Sequence, residues 1–404
     1  MEILLNNGIK LIYKKTISKL TSISISIDAG ACKEKEIFGL AHATEHMLYK
    51  GTKNRSEVNI NKELSRIFGF QNAMTNYPYV IYYGTMLNED FEKAVDIFSD
   101  ILINPTFKEE GFIEEMSVIR EELSEWDEEL DQFCEDKLYL NSFQERRIKY
   151  PIIGRMKDLD KITLNDIIDF YNKNYKPENT SIAVVSSLDI EEIKLIIEKY
   201  FMEWESNKES FKDEAIYDID NFNIFKDIRE GINGCKVQMI FPIDELNYDE
   251  MKALRIFNEY FGDGVNSVLF NNLRTKNGLI YDIITKIAYE KYIKLYKITF
   301  STSKKNLKKT LDIINECIES VKNSNLIISE EDIIDYVKSI KLKKLFREEQ
   351  NIILAKELST YSTMFGNFKI YDEELEEIDK IRKEDIVEVT RKVFNNKSIQ
   401  IISN

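Results

Sequence analysis

Residues 158–187 and 377–403 carry one pattern twice. Setting Asp160-Lys161-Ile162 against Asp379-Lys380-Ile381 gives an offset of 219 residues, and Asp166-Ile167 then falls on Asp385-Ile386. In each copy an amphipathic helical stretch runs directly into a strand-like one, so both halves of the chain end in the same helix-strand unit. A repeat of roughly 200 residues has the size of one domain. The 404-residue chain is therefore expected to hold two domains of similar build, 1–205 and 222–404, joined by the polar, acidic linker 206–221.

Local patterning indicates what each domain is made of. Strand signals lie at 9–13, 22–27, 79–87, 181–187, 235–242 and 293–301. Helical periodicity appears around 39–50, 57–68, 89–103, 110–130, 164–174, 190–203, 249–261, 306–322, 330–346 and 383–394. The two kinds alternate without a regular βαβ beat, which predicts α+β rather than a doubly wound sheet. Residues 22–27 read Ser-Ile-Ser-Ile-Ser-Ile, a period-2 alternation that suits a half-buried strand with its serines towards water.

Composition narrows the functional classes. A net charge of −15 and the absence of a concentrated basic run argue against a nucleic-acid partner, which needs a basic face for the phosphates. No stretch approaches 18 consecutive apolar residues, so no membrane span is expected. Cys32, Cys134, Cys235 and Cys317 are far apart and form no C-x-x-C, as in reduced intracellular proteins. The N-terminus shows no basic region followed by an apolar core, and a cytoplasmic location is expected.

Only two histidines occur in the chain, and both lie in Gly39-Leu-Ala-His42-Ala-Thr-Glu45-His46-Met-Leu-Tyr-Lys-Gly51. On a helix His42 and His46 stand one turn apart on the same face, where two imidazoles can share a metal ion. Glu45 and Tyr49 fall on that side, and Leu40, Thr44, Met47 and Leu48 on the opposite one, so one face is expected to pack and the other to carry the chemistry. Gly51 is a candidate C-terminal cap. Zinc suits two neutral imidazoles, a carboxylate and an open fourth position. Glu45 would then not be a ligand; it would activate a water on the metal and pass the proton to a leaving amine.

A third ligand has to be acidic, because no other histidine exists. In the helical stretch 110–130, Glu114, Glu121, Glu125 and Glu128 share a side without large apolar residues, as a solvated face does. Glu115 and Glu122, seven residues apart, fall beside the stripe of Phe112, Ile119, Leu123 and Trp126, where an unpaired carboxylate is costly. One would bind the cation and the other would hydrogen-bond a ligand. Geometry alone leaves open which is which.

These motifs resemble the insulinase/pitrilysin family of zinc peptidases, the inverzincins, in the short form of the mitochondrial and bacterial processing peptidases. The likeness extends through Asn72-Ala73-Met74-Thr75, Asn104-Pro105-Thr106-Phe107, the Glu115 to Glu122 segment, Pro151-Ile152-Ile153-Gly154 and the segment from Arg274 to Gly278-Leu279-Ile280-Tyr281. The resemblance implies that Glu122 is the third zinc ligand and that Glu115 supports the site. It implies that Asn72 and Ala73 lie on an edge strand that pairs with an extended peptide. It also implies that Arg274 and Tyr281 hold substrate carbonyls and stabilise the tetrahedral intermediate, donors suited to a developing oxyanion. The offset of 219 sets His42, Glu45 and His46 against Phe261, Gly264 and Val265, so the second half is expected to carry no metal.

In that family four α/β-roll domains, each a mixed and mainly antiparallel sheet flanked by helices, form a clamshell around the substrate. A two-domain chain corresponds to half of it. The expectation is a cytoplasmic zinc endopeptidase, one Zn2+ per chain, that cleaves peptides or small unfolded polypeptides in an enclosed chamber. It is expected to act as a homodimer or as a heterodimer with a related subunit. An acidic chamber lining would favour cationic peptides; a solvated acidic surface explains the charge equally well. The alternatives are a non-catalytic structural or peptide-binding subunit, and a regulatory metal site that needs no general base.

Overall fold

The protein is seen here in a computed structural model that describes residues 1–205, 215–217, 219–323 and 326–404. Most of the expected linker, 206–221, lies outside the described residues. The strands are β1 (Glu2–Leu4), β2 (Lys10–Lys15), β3 (Leu20–Ile27), β4 (Phe68–Thr75), β5 (Val80–Leu87), β6 (Thr180–Ser186), β7 (Ile224–Ile228), β8 (Cys235–Pro242), β9 (Ile280–Glu290), β10 (Ile293–Thr302) and β11 (Ser398–Ser403). The helices are α1 (Leu40–Leu48), α2 (Glu57–Ile67), α3 (Phe91–Ile103), α4 (Glu109–Glu128), α5 (Leu130–Ser142), α6 (Met156–Leu159), α7 (Leu164–Asn174), α8 (Ile190–Phe201), α9 (Tyr248–Phe261), α10 (Val268–Phe270), α11 (Leu307–Lys322), α12 (Glu330–Glu348), α13 (Asn351–Phe365), α14 (Lys369–Glu373) and α15 (Lys383–Val393). None of them is long and apolar enough to cross a membrane.

Two sheets form, ordered β1-β2-β6-β3-β5-β4 and β7-β11-β8-β10-β9. Apart from β1 the two orders correspond strand for strand, which is the spatial form of the sequence repeat. The repeated helix-strand units are α7-β6 and α15-β11, and each final strand lies parallel to one neighbour and antiparallel to the other. The remaining pairings are antiparallel, so the fold is α+β with mixed, mainly antiparallel sheets, as expected.

The compact units differ from the two continuous halves. One comprises Met1–Glu125, Tyr150–Glu214 and Phe346–Asp372; the other comprises Trp126–Lys149, Ala215–Leu345 and Glu373–Asn404. Each half of the sequence therefore supplies one segment to the unit built mainly by the other half. The segment Phe346–Asp372 brings α13, and Trp126–Lys149 brings α5.

The reason lies in the sheet faces. Ser22, Ser24 and Ser26 are as fully buried as Ile23, Ile25 and Ile27, so the serine side of β3 does not meet water as the alternation suggests. The helix α13 covers it. Ser24 Oγ and Ser359 Oγ are 2.8 Å apart, Ser181 Oγ donates to Ser362 Oγ at 2.9 Å, and Thr363 Oγ1 donates to the Ser26 carbonyl at 3.3 Å. Around these pairs Leu354, Ala355 and Leu358 pack on Ile12, Ala183 and Val185. In the second unit α5 does the same for β8, β10 and β11. Glu135 Oε2 accepts from Lys297 at 2.8 Å and from Gln238 at 3.1 Å, and Asn141 donates to Gln400 at 2.9 Å. Lys236 pairs with Asp131. A buried polar face is stable when its groups find partners, and these two helices provide several of them; Ser22 Oγ instead meets Thr85 Oγ1 at 2.7 Å, and Ser26 Oγ has no partner among the described residues.

Residues 1–205 expressed alone should therefore fail to fold cooperatively, because the face carrying Ser22, Ser24 and Ser26 has lost its cover. Co-expression with residues 206–404 should restore a soluble complex with a cooperative urea transition. A sharp transition for 1–205 alone would contradict this account.

Candidate metal centre

The start of α1 is fixed by a close backbone crossing. Gly39 is the N-cap with φ +91°, and a Cβ there would come within 2.5 Å of the Ile153 carbonyl oxygen. Gly154, φ +88°, would bring a Cβ within 2.5 Å of the Phe38 carbonyl oxygen. Only glycine allows both the conformation and the approach. The buried Glu34 carboxylate then accepts from the Ala41 N–H at 2.8 Å, serving a free donor of the first turn. At the other end Tyr49, not Gly51, is the C-cap. Gly51, φ +133°, instead bridges to Ser56 and opens the following loop. That loop is tied to buried Asp100, which accepts from Thr52 at 2.6 Å, Asn54 at 2.7 Å and Arg55 at 2.9 Å. Burial opposes the charge, yet these bonds hold the Asp100 carboxyl below its ordinary range.

His42, His46 and Glu122 come together as the resemblance implies: one ligand atom from each, all within 4.8 Å of one another. Glu122 Oε1 is 3.6 Å from His42 Nε2, and Glu122 Oε2 is 3.6 Å from His46 Nε2. Two ligand atoms at zinc-bond distance on a tetrahedral ion stand about 3.3–3.6 Å apart, so this donor set fits zinc. Glu115 sits behind it, with Oε2 2.9 Å from His46 Nδ1. That contact pulls the Glu115 carboxyl below its usual range. An ionised carboxylate only accepts, so Nδ1 carries the proton and Nε2 keeps its lone pair for a metal. The wheel's other prediction holds as well: Glu114, Glu121, Glu125 and Glu128 are exposed while Ile119 and Leu123 are buried.

The chemical face of α1 is more enclosed than the wheel suggests. Glu45 is only 9% exposed, and Thr75, at the end of β4, donates to its Oε2 at 2.5 Å. Burial pushes the Glu45 carboxyl up to about 7, against the lowering effect of the Thr75 bond. A carboxyl poised there can take and return a proton near neutral pH. Thr75 is the one contact of Glu45 that the sequence reading did not single out; its only signal was its place in Asn72-Ala73-Met74-Thr75. Burial, with help from His46, drives His42 down to about 3, so it stays neutral and ready to bind. His46 is raised: burial is the largest influence and works against its charge, and the Glu115 bond together with the charges of Glu45, Glu122 and Glu115 outweighs it.

Of the other implied residues, Asn72, Ala73 and Tyr281 fall on edge strands, and Arg274 lies in the helical turn Asn271–Thr275 before β9. Asn72 and Ala73 lie on β4, which pairs with β5 alone among the described residues, so its second edge is open to an added strand. In the second unit Arg274 stands over the Tyr281 ring, 4.6 Å from its centroid, and donates to the Tyr281 carbonyl. Tyr281 begins β9 and is 78% exposed, so neither residue is committed to a core.

Because metal must displace the proton that His46 retains, and that proton is held more tightly than on an ordinary imidazole, zinc affinity should rise with pH from the ordinary imidazole range upward, nearly tenfold per unit where His46 is protonated, and level off once it is neutral. Calorimetry in buffers of different ionisation enthalpy should count about one released proton at the acid end. An affinity flat across this window would show that His46 is not a ligand.

Comparison with known proteins points to one family. The family model described as "Insulinase (Peptidase family M16)" matches residues 10–155, and "Peptidase M16 inactive domain" matches residues 161–340. A protein of Rickettsia felis named "Uncharacterized zinc protease" is 26% identical over 399 residues, covering 97% of this chain and 94% of its own. Mitochondrial-processing peptidase subunit beta of Saccharomyces cerevisiae is 34% identical over 181 residues, 45% of this chain and 39% of that one. A protease from Helicobacter pylori has the same fold, with a TM-score of 0.91 at 18% identity over 100% of this chain and 99% of that chain. With its two halves matched by two models of one family, and its fold shared along its whole length, the chain belongs to the insulinase peptidase family M16.

Proposed function

We propose that this chain is a zinc-dependent endopeptidase that hydrolyses extended peptides or small unfolded polypeptides in the cytoplasm. The observation that carries the reading is the convergence of His42, His46 and Glu122 with a buried, proton-poised Glu45 on the same helical turn. When bound, zinc would be held by those three residues and would make water acidic enough to attack at neutral pH, while polarising a carbonyl. Glu45 takes the proton of the attacking water on the oxygen that Thr75 does not occupy, and delivers it to the amine as the peptide bond breaks. Glu115 keeps the His46 ring in the orientation that ligation needs. The substrate adds to the open edge of β4 by backbone hydrogen bonds along Asn72 and Ala73, which favours unfolded chains over any one sequence.

Arg274 and Tyr281 complete the reading as donors to the carbonyl oxygen that gains charge. The relatives named as a beta subunit support assembly in pairs, and here we take the partner to be a second copy whose Arg274 and Tyr281 serve the first copy's Glu45. A non-catalytic subunit needs none of these side chains, whereas here the whole set is present.

Replacing Glu45 by Gln should leave one zinc per chain in place and lower peptide cleavage by about 10²–10⁴-fold. Metal analysis beside a peptide-library digest reads both; full activity in this variant would favour the regulatory-site alternative. Mixing inactive Glu45→Gln chains with inactive Arg274→Ala chains should recover up to about a quarter of wild-type activity, since half the dimers are then mixed and each holds one intact pairing. Mixed dimers that form and remain inactive would place the pair in the same chain as the metal ligands.

A further inference from the structure

Lys50 follows α1 by two residues, and its side chain is only 9% exposed. Its Nζ lies 2.9 Å from Glu57 Oε2, 3.0 Å from Glu114 Oε2 and 3.3 Å from Glu115 Oε1. Glu57 and Glu114 are largely solvated, with 41% and 66% of the side chain exposed, and gain little from the pairing. Glu115 is different. At 16% exposure it has little water to turn to, and its two oxygens are divided between Lys50 and His46. The line therefore runs from ammonium to carboxylate to imidazole, with each contact within 3.3 Å.

The route of the lysine stem is itself built. Gly111 sits inside the first turn of α4, although glycine is a poor helix former. A Cβ at that position would come within 3.1 Å of Lys50 Cβ and 3.3 Å of its Cε. The gap left by Gly111 lets the stem cross α4 and deliver its charge to the far oxygen of Glu115. His42 has no equivalent support, because its buried Nδ1 meets no hydrogen-bond partner among the described residues. Of the two imidazoles, only His46 is aimed by a chain of side chains.

We propose that Lys50 is a positioning residue for the metal centre, acting through Glu115 to hold His46 with Nε2 turned towards Glu122. A carboxylate bound at one oxygen only can rotate about its Cγ–Cδ bond; bound at both, it is a fixed acceptor. The inference rests on the zinc reading above, and it predicts that the effect of Lys50 passes through Glu115 alone.

The test is a double-mutant cycle on zinc affinity, measured by competition with a chromophoric chelator, with the visible spectrum of the cobalt-substituted protein as a second readout. Lys50→Met should weaken zinc about 10–100-fold, the range seen when groups that orient metal-binding histidines are removed, and should shift the cobalt bands. In a Glu115→Gln background the same change should cost less than about twofold, because the relay is already broken. Gly111→Ala, which crowds the stem and removes no charge, should reproduce the loss in the wild-type background and be silent beside Glu115→Gln; it carries the test if Lys50→Met does not fold. Unchanged affinity in both single variants, or equal losses in both backgrounds, would overturn the proposal while leaving the zinc site standing. A wild-type protein that binds no zinc would instead remove the reading on which it rests.

Discussion

Ser24 and Ser359 share a hydrogen bond between two segments 335 residues apart, and Ser24 is wholly shielded from water. A hydroxyl in that position loses its hydration on folding, and recovers it only if a partner arrives in the right place. The first sheet presents a row of such groups, from Ser22 to Ser26 and Ser181, and the second presents Lys236, Gln238, Lys297 and Gln400. An apolar helix laid on these faces would take their partners from Ser24 and Ser181, and from Lys236 and Lys297. The covering helices must therefore carry polar groups among their apolar ones, as α13 and α5 do, and the chain must leave each unit and return to deliver them. Discontinuous units follow from that requirement.

The same rule governs the candidate metal centre on the opposite side of the first sheet, where α1 packs against β4 and α7. Six of the nine residues of α1 are buried and the other three half-buried, so each polar group on it needs an assigned partner. Glu45 has Thr75, and His46 has Glu115. The buried Nδ1 of His42 and hydroxyl of Tyr49 have none among the described residues. These are the points at which the packing of the site is left incomplete, and both flank Glu45 on the helical wheel. Burial that lifts Glu45 to about 7 also keeps His42 neutral; one enclosed environment thus tunes the base and the ligand together.

What could be read in the sequence followed from how one-sided each element is. The ten helices expected from periodicity and the central strands were legible within a few residues, as with α7 at Leu164–Asn174 and β8 at Cys235–Pro242. The candidate metal ligands were legible because two histidines four apart and two carboxylates on an apolar flank have no bland explanation. Periodicity missed α5, α13 and the edge strands β1, β4, β7 and β9, of which the resemblance alone implied β4. The two helices contact polar sheet faces, so Ser359, Ser362, Glu135 and Asn141 break the apolar stripe that periodicity detects. Edge strands carry a weaker pattern, and β4 alternates mainly between exposed and half-exposed residues. Ser22 to Ser26 misled for the converse reason: alternation reports that two faces differ, not that one of them meets water.

The two copies share a strand order, but the offset of 219 does not hold along the whole chain. Thr180 of β6 corresponds at that offset to Ile399 of β11; Thr180 pairs with Ile27 and Ile399 with Met239, so β3 corresponds to β8 at an offset of 212. The helix that follows β8 is α9, an unbroken run from Tyr248 to Phe261, so the second unit keeps a continuous turn on which groups at spacing i, i+4 could converge. What differs is the side chains. Leu254, Phe257 and Phe261 of α9 are wholly buried, with Phe257 stacked on Phe261 at 4.8 Å and Phe261 meeting Phe394 at 5.6 Å. The second unit commits this helix to its core, where the Tyr296 hydroxyl donates to Asn258 at 3.0 Å, whereas the first keeps a buried turn of polar residues that Thr75 and Glu115 serve. Divergence of the copies is thus a trade of core for site, made on one helix.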